Sequence, residues 1–63
     1  GYIDTEILAD ASEDFLKSLI TKIPVGRLGT VEEISRTVTF LASEDAGFIT
    51  GSTITANGGQ YFI

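Results

Sequence analysis

Ser43-Glu44-Asp45-Ala46-Gly47-Phe48-Ile49-Thr50-Gly51-Ser52-Thr53-Ile54-Thr55-Ala56-Asn57-Gly58-Gly59 is the stretch on which the reading of this chain turns. It reads as a helix end, a glycine turn, a short strand and a glycine corner. Thr53, Ile54 and Thr55 are β-branched, which favours a strand over 52–56. Asn57-Gly58-Gly59 permits positive φ and a sharp exit. A single strand leaves its backbone donors and acceptors unpaired. The strand therefore needs a partner strand, and none can be read elsewhere in the chain.

Upstream of that stretch the pattern is helical. Glu6–Ala9 reads as one turn of helix. Asp10 or Ser12 can cap a second helix, and Asp10 to Glu13 has capping-box spacing. Phe15, Leu16, Leu19, Ile20 and Ile23 recur at helical spacing on one face. Pro24 stops that helix, because its ring disfavours the α conformation at Ile23. A turn-rich connection, Pro24-Val25-Gly26-Arg27-Leu28-Gly29, leads to a cleaner capping box from Thr30 to Glu33. Ile34, Val38 and Leu41 form the stripe of the last helix, extended by Val31 and Ala42, over 30–46. Val31, Thr37, Val38 and Thr39 are poor helix formers, so tertiary packing must hold this helix.

Size and composition bound the rest. Sixty-three residues make at most one small domain, and no cysteine or histidine is present to staple it with a disulfide or the usual zinc sites. The apolar fraction of 43% and the mean hydropathy of +0.25 argue against disorder. They also imply more apolar surface than one small core can hide. The net charge is −5, with Lys17, Lys22, Arg27 and Arg36 scattered, so a backbone-tracking nucleic-acid surface is not expected. No apolar run approaches the length of a bilayer span, and no basic amphipathic face points to a membrane surface. The chain does not open as a signal peptide does, and a cytoplasmic setting is the expectation.

Chemistry-bearing constellations are sparse. The glycines at 47, 51, 58 and 59 do not lie between a strand and a following helix, as a phosphate loop requires, so a structural corner is the better reading. The adjacent carboxylates Glu13/Asp14, Glu32/Glu33 and Glu44/Asp45 sit at helix ends, where they favour the helix dipole. Without histidine a Ser-His-Asp arrangement cannot form inside this chain. Neither catalytic nor metal-ligating residues are expected within it.

Taken together, four pieces resemble the short-chain dehydrogenase/reductase family. Gly1-Tyr2-Ile3-Asp4-Thr5 looks like the family's Pro-Gly-x-x-x-Thr loop, entered one residue late. Pro24-x-x-Arg27-Leu28-Gly29 looks like the connection before the penultimate helix, and Glu32-Glu33-Ile34 fits that helix's start. Phe48-Ile49-Thr50-Gly51, then Ile54 and Asn57-Gly58-Gly59, fit the last strand and its exit. Val31 departs from the pattern, since relatives usually carry Pro at that first helical position. Gly1-Tyr2-Ile3 and the Asn before Gly58-Gly59 look most like the family's acetoacetyl-CoA reductases.

The resemblance implies an α/β fold, with this chain the C-terminal fragment of a Rossmann-type doubly wound domain. The fragment itself would contribute two main helices and one short strand. Loop 1–5 would lie on the cofactor side, 6–23 would be the substrate lid, 30–46 the last helix and 52–56 the last strand. The parent reaction would be hydride transfer from NADPH or NADH to the 3-keto group of a 3-oxoacyl thioester. The Ile3 backbone and the Thr5 side chain would hydrogen-bond the nicotinamide carboxamide, and Tyr2 would sit near the acyl substrate. The Ser, Tyr and Lys that do the family's chemistry are absent, so the 63-residue chain alone is expected to be inactive and to hold no cofactor. The last helix and strand would pack on their copies in a homo-oligomer. Val31, Ile34, Val38, Leu41 and Ile54 are thus expected to be covered between chains or by the rest of the core. The competing reading is a small acidic helical module that oligomerises or binds a partner through its apolar stripes, with no enzymatic activity.

Overall fold

The computed structural model describes residues 1–61, with three helices and a single 3₁₀ turn among them. Helix α1 is Glu6–Ala9, α2 is Glu13–Ile20 and α3 is Val31–Leu41, and the 3₁₀ turn is Glu44–Ala46. Ser12 caps α2, its hydroxyl accepting from the Phe15 N–H at 3.2 Å. After Ile20 the chain tightens: the N–H groups of Lys22 and Ile23 donate to the carbonyls three residues back, each at 3.0 Å, before Pro24 ends the run.

Helix α3 begins with the reciprocal capping box that its sequence announces. The Thr30 hydroxyl accepts from the Glu33 N–H, and the Glu33 carboxylate accepts from the Thr30 N–H. The helix proper ends at Leu41, short of the 30–46 span expected from the stripe. Ser43 turns extended, with φ −86° and ψ 164°, and the 3₁₀ turn packs back on α3. Ser43 ties itself to the helix end twice, its hydroxyl donating to the Phe40 carbonyl at 2.6 Å and its N–H to the same carbonyl at 3.0 Å.

The strand expected over 52–56 does not form among the described residues. No backbone hydrogen bond to other backbone is made by these five residues. The cause is the missing partner: β-branching favours a strand, but only a neighbouring strand can complete its ladder. The one β-type contact among the described residues lies elsewhere, a parallel bridge between Ile3 and Gly29.

Leu19, Ile23 and Ala46 are the buried apolar residues among those described. Leu16 and Ile20 are half-buried, while Phe15 on the same helix face is exposed. The α3 stripe does not find the cover expected of it. Val31, Val38, Leu41 and Ile54 are exposed in the single chain, and only Ile34 is half-buried. The shape explains why. The radius of gyration is 14.0 Å and the extents are 43 × 24 × 15 Å, whereas a compact domain of this length would have a radius near ~11 Å. A body 15 Å thick leaves no room for a second layer over α3.

Candidate functional site

Three loops meet at one place. The first is the N-terminal loop, the second is the connection that ends at Gly29, and the third is the glycine corner after residue 56. The first two are joined by a pair of backbone hydrogen bonds: the Gly29 N–H donates to the Tyr2 carbonyl, and the Asp4 N–H donates to the Gly29 carbonyl, both at 2.9 Å. The second and third are joined by the Val25 N–H donating to the Gly58 carbonyl at 3.0 Å. Gly1 lies so close to Asn57 that a Cβ on it would stand 2.6 Å from the Asn57 Cα. Between the loops is a cleft of about 230 Å³, lined by Tyr2, Ile3, Ile23, Val25, Ile34, Asn57 and Gly58 among others.

The parallel bridge has a consequence for Ile3. It uses the carbonyl of residue 2 and the N–H of residue 4, so the N–H and C=O of Ile3 itself stay out of it. Neither group hydrogen-bonds elsewhere among the described residues. Thr5 stands at the N-cap of α1, yet its hydroxyl makes no capping hydrogen bond, and it too is uncommitted among the described residues. A primary carboxamide presents N–H donors and one carbonyl acceptor. An unspent backbone N–H, an unspent carbonyl and a free hydroxyl complement that group, so the residues present fit the nicotinamide end of a dinucleotide. Tyr2 and Ile3 line the cleft, and Thr5 lies outside it.

An ion pair buttresses the second loop. The Arg27 guanidinium meets the Glu33 carboxylate in a two-pronged contact, at 2.7 Å and 2.9 Å, and also donates to the Leu28 carbonyl at 3.0 Å. Hydrogen bonding from Arg27, then from the Thr30 N–H and hydroxyl, holds the Glu33 carboxyl down at about 2. The same contact raises the Arg27 guanidinium above its ordinary value. The sequence showed Glu33 as a helix cap but not as Arg27's partner. Six residues and a turn separate the two, and no helical spacing connects them.

Among the described residues no group of three or more carboxylates could hold a metal ion, and no helix is long and apolar enough to cross a membrane. The chain contains no Tyr-x-x-x-Lys and no histidine. With neither present, no Ser-His-Asp arrangement and no Tyr-x-x-x-Lys arrangement can form within the chain.

Comparison with known proteins gives the family of the chain. The family described as enoyl-(acyl carrier protein) reductase matches residues 1–60. The chain belongs to the short-chain dehydrogenase/reductase family. Within it, the chain is similar to acetoacetyl-CoA reductases. It is 64% identical over 63 residues to that of Rhizobium meliloti (strain 1021), covering 98% of this chain and 26% of the relative. It is 59% identical to that of Shinella zoogloeoides, covering 100% of this chain and 27% of the relative. A 3-oxoacyl-(acyl-carrier-protein) reductase of Pseudomonas aeruginosa is 46% identical, over 97% of this chain and 25% of the relative. The chain thus spans about a quarter of the length of the curated relatives it matches.

Proposed function

We propose that this chain is the C-terminal part of a reductase that transfers a hydride from NADPH or NADH to the 3-keto group of acetoacetyl-CoA or a similar 3-oxoacyl thioester. What carries the reading is the 64% identity, along essentially the whole chain, to a protein named for that reaction. The free N–H and C=O of Ile3 and the free Thr5 hydroxyl support it, because they complement a carboxamide. In the complete enzyme the dinucleotide supplies the hydride. Ile3 and Thr5 fix which face of the nicotinamide ring meets the substrate, and Tyr2 packs beside the acyl group. Segment 6–23 covers the substrate, its apolar face set by Leu16, Leu19 and Ile20. The exposed side chains of α3 and segment 52–56 form a contact between copies of the protein, as suits a self-complementary apolar patch. The Ser, Tyr and Lys that do the family's chemistry are not among these 63 residues, so by themselves they are expected to be inactive.

The test is the full-length protein assayed for NADPH- and NADH-dependent reduction of acetoacetyl-CoA. Wild type is expected to turn over. Thr5→Ala is expected to raise the KM for the dinucleotide about tenfold, the loss of one hydrogen bond made to the cofactor, and to leave the KM for the thioester unchanged. Absence of reduction with either dinucleotide sinks the reading.

A further inference from the structure

We propose that Arg27 and Glu33 are positioning residues for the cofactor: their two-pronged ion pair latches the turn that carries Gly29, and Gly29 in turn places the free N–H and C=O of Ile3. This rests on the functional reading above and assigns a positioning role to two side chains that also stand among the lining of the cleft.

The latch is continuous from helix to loop. Glu33 belongs to the first turn of α3, the longest helix, and so has a rigid base. Its carboxylate holds the Arg27 guanidinium by two bonds, at 2.7 Å and 2.9 Å, and a planar fork bonded twice has one orientation. The same guanidinium holds the Leu28 carbonyl at 3.0 Å. Glu33 also accepts from the Thr30 N–H, at 3.0 Å. Leu28 and Thr30 are the two neighbours of Gly29, so the peptide groups on both sides of Gly29 are tied to one ion pair. Gly29 then makes both hydrogen bonds of the bridge, one to the Tyr2 carbonyl and one from the Asp4 N–H. Those bonds bracket Ile3. A backbone donor and acceptor act on a ligand only while held in register, and misplacement by a fraction of the hydrogen-bond length loses both. Apart from the bridge, the loop has little to hold it, since α1 is a single turn with no capping side chain.

The capping box offers a clean separation of roles. Gln at the third helical position still caps the helix but carries no charge to pair with Arg27. Glu33→Gln therefore removes the charge and turns the Oε2 prong into a donor facing Arg27, which breaks the two-pronged latch, and keeps the helix start. Arg27→Lys keeps the charge and loses the fork. In the full-length protein both variants are expected to raise the KM for the dinucleotide about tenfold, with the KM for acetoacetyl-CoA within about twofold of wild type. Amide hydrogen exchange at Asp4 and Gly29 is expected to accelerate about tenfold, with α3 amides unchanged. Unchanged exchange at Asp4 and Gly29 overturns the latch, whatever the activity. Faster exchange with an unmoved dinucleotide KM overturns the positioning role, as does an equal rise of both KM values, which marks a general loosening. A wild-type protein that neither binds nor oxidises the dinucleotide overturns the functional reading and the cofactor arm with it, while the exchange arm still decides the latch.

Discussion

Gly58 shows how much one residue can decide. Its φ is +64°, and a Cβ built on it would stand 2.7 Å from the Ile23 Cγ2. Ile23 is one of the few buried side chains, so it cannot swing out of the way without opening the core. Both effects act against any other residue. Gly58→Ala in the full-length protein is expected to cost about 1–3 kcal/mol of stability. Urea unfolding checks this, and an unshifted midpoint would mean that the corner relaxes freely. That glycines 58 and 59 make a corner was legible in the sequence, because Asn-Gly-Gly needs no long-range information. That the corner closes on Ile23, thirty-five positions earlier, was not.

Helix α3 is the element whose start was legible in most detail. Thr30 to Glu33 is a local pattern, and local geometry alone brings the two side chains together. Its pH response follows from the Glu33 carboxyl. The folded value is about 2, against an ordinary 4.5. A depressed folded value means the stabilising contribution is fully present above pH 4.5 and is lost as pH falls from there through about 2. The pair is 55% and 41% exposed, so solvent screens it and the contribution is small. An NMR titration of the Glu33 side-chain carboxyl is expected to give a midpoint near 2, and a midpoint near 4.5 would mean that the ion pair does not persist in solution. The end of α3 was less legible. Apolar spacing continues through Ala42, but Ser43 draws the Phe40 carbonyl to its own hydroxyl and the chain leaves the helix.

On the scale of the whole molecule, the balance between apolar content and burial stands out. Phe48 is 96% exposed and Ile7 is 90% exposed. Leu19, Ile23 and Ala46 make up the buried apolar set among the described residues. A core of that size cannot offset the conformational entropy of ordering some sixty residues. The 63-residue chain by itself is expected to melt gradually, without the sharp heat-absorption peak of a two-state domain. Scanning calorimetry at low concentration decides this, and a sharp peak would show that the small core suffices. This expectation is the energetic counterpart of the comparison with relatives four times as long, in which the same residues have the remaining three-quarters of a protein to pack against.

What the sequence alone determined is everything that depends on neighbours a few positions apart. The Thr30 cap, the stop at Pro24 and the glycine corner are set by sterics and hydrogen bonds within a turn or two, whereas the choice between Asp10 and Ser12 as the cap of α2 was left to the structure, which uses Ser12. Family membership was legible for a related reason, since four short motifs in a fixed order act as independent local signals. The roles proposed for Ile3 and Thr5 at the cofactor and for Tyr2 at the substrate came from that resemblance and not from any local pattern. Tertiary structure alone decided what depends on distant partners. It joined Ile3 to Gly29, freed the polar groups of Ile3, paired Arg27 with Glu33, and denied segment 52–56 the strand its β-branched residues favour. A strand, a bridge and a buried stripe are each properties of two surfaces, and a sequence pattern describes only one of them.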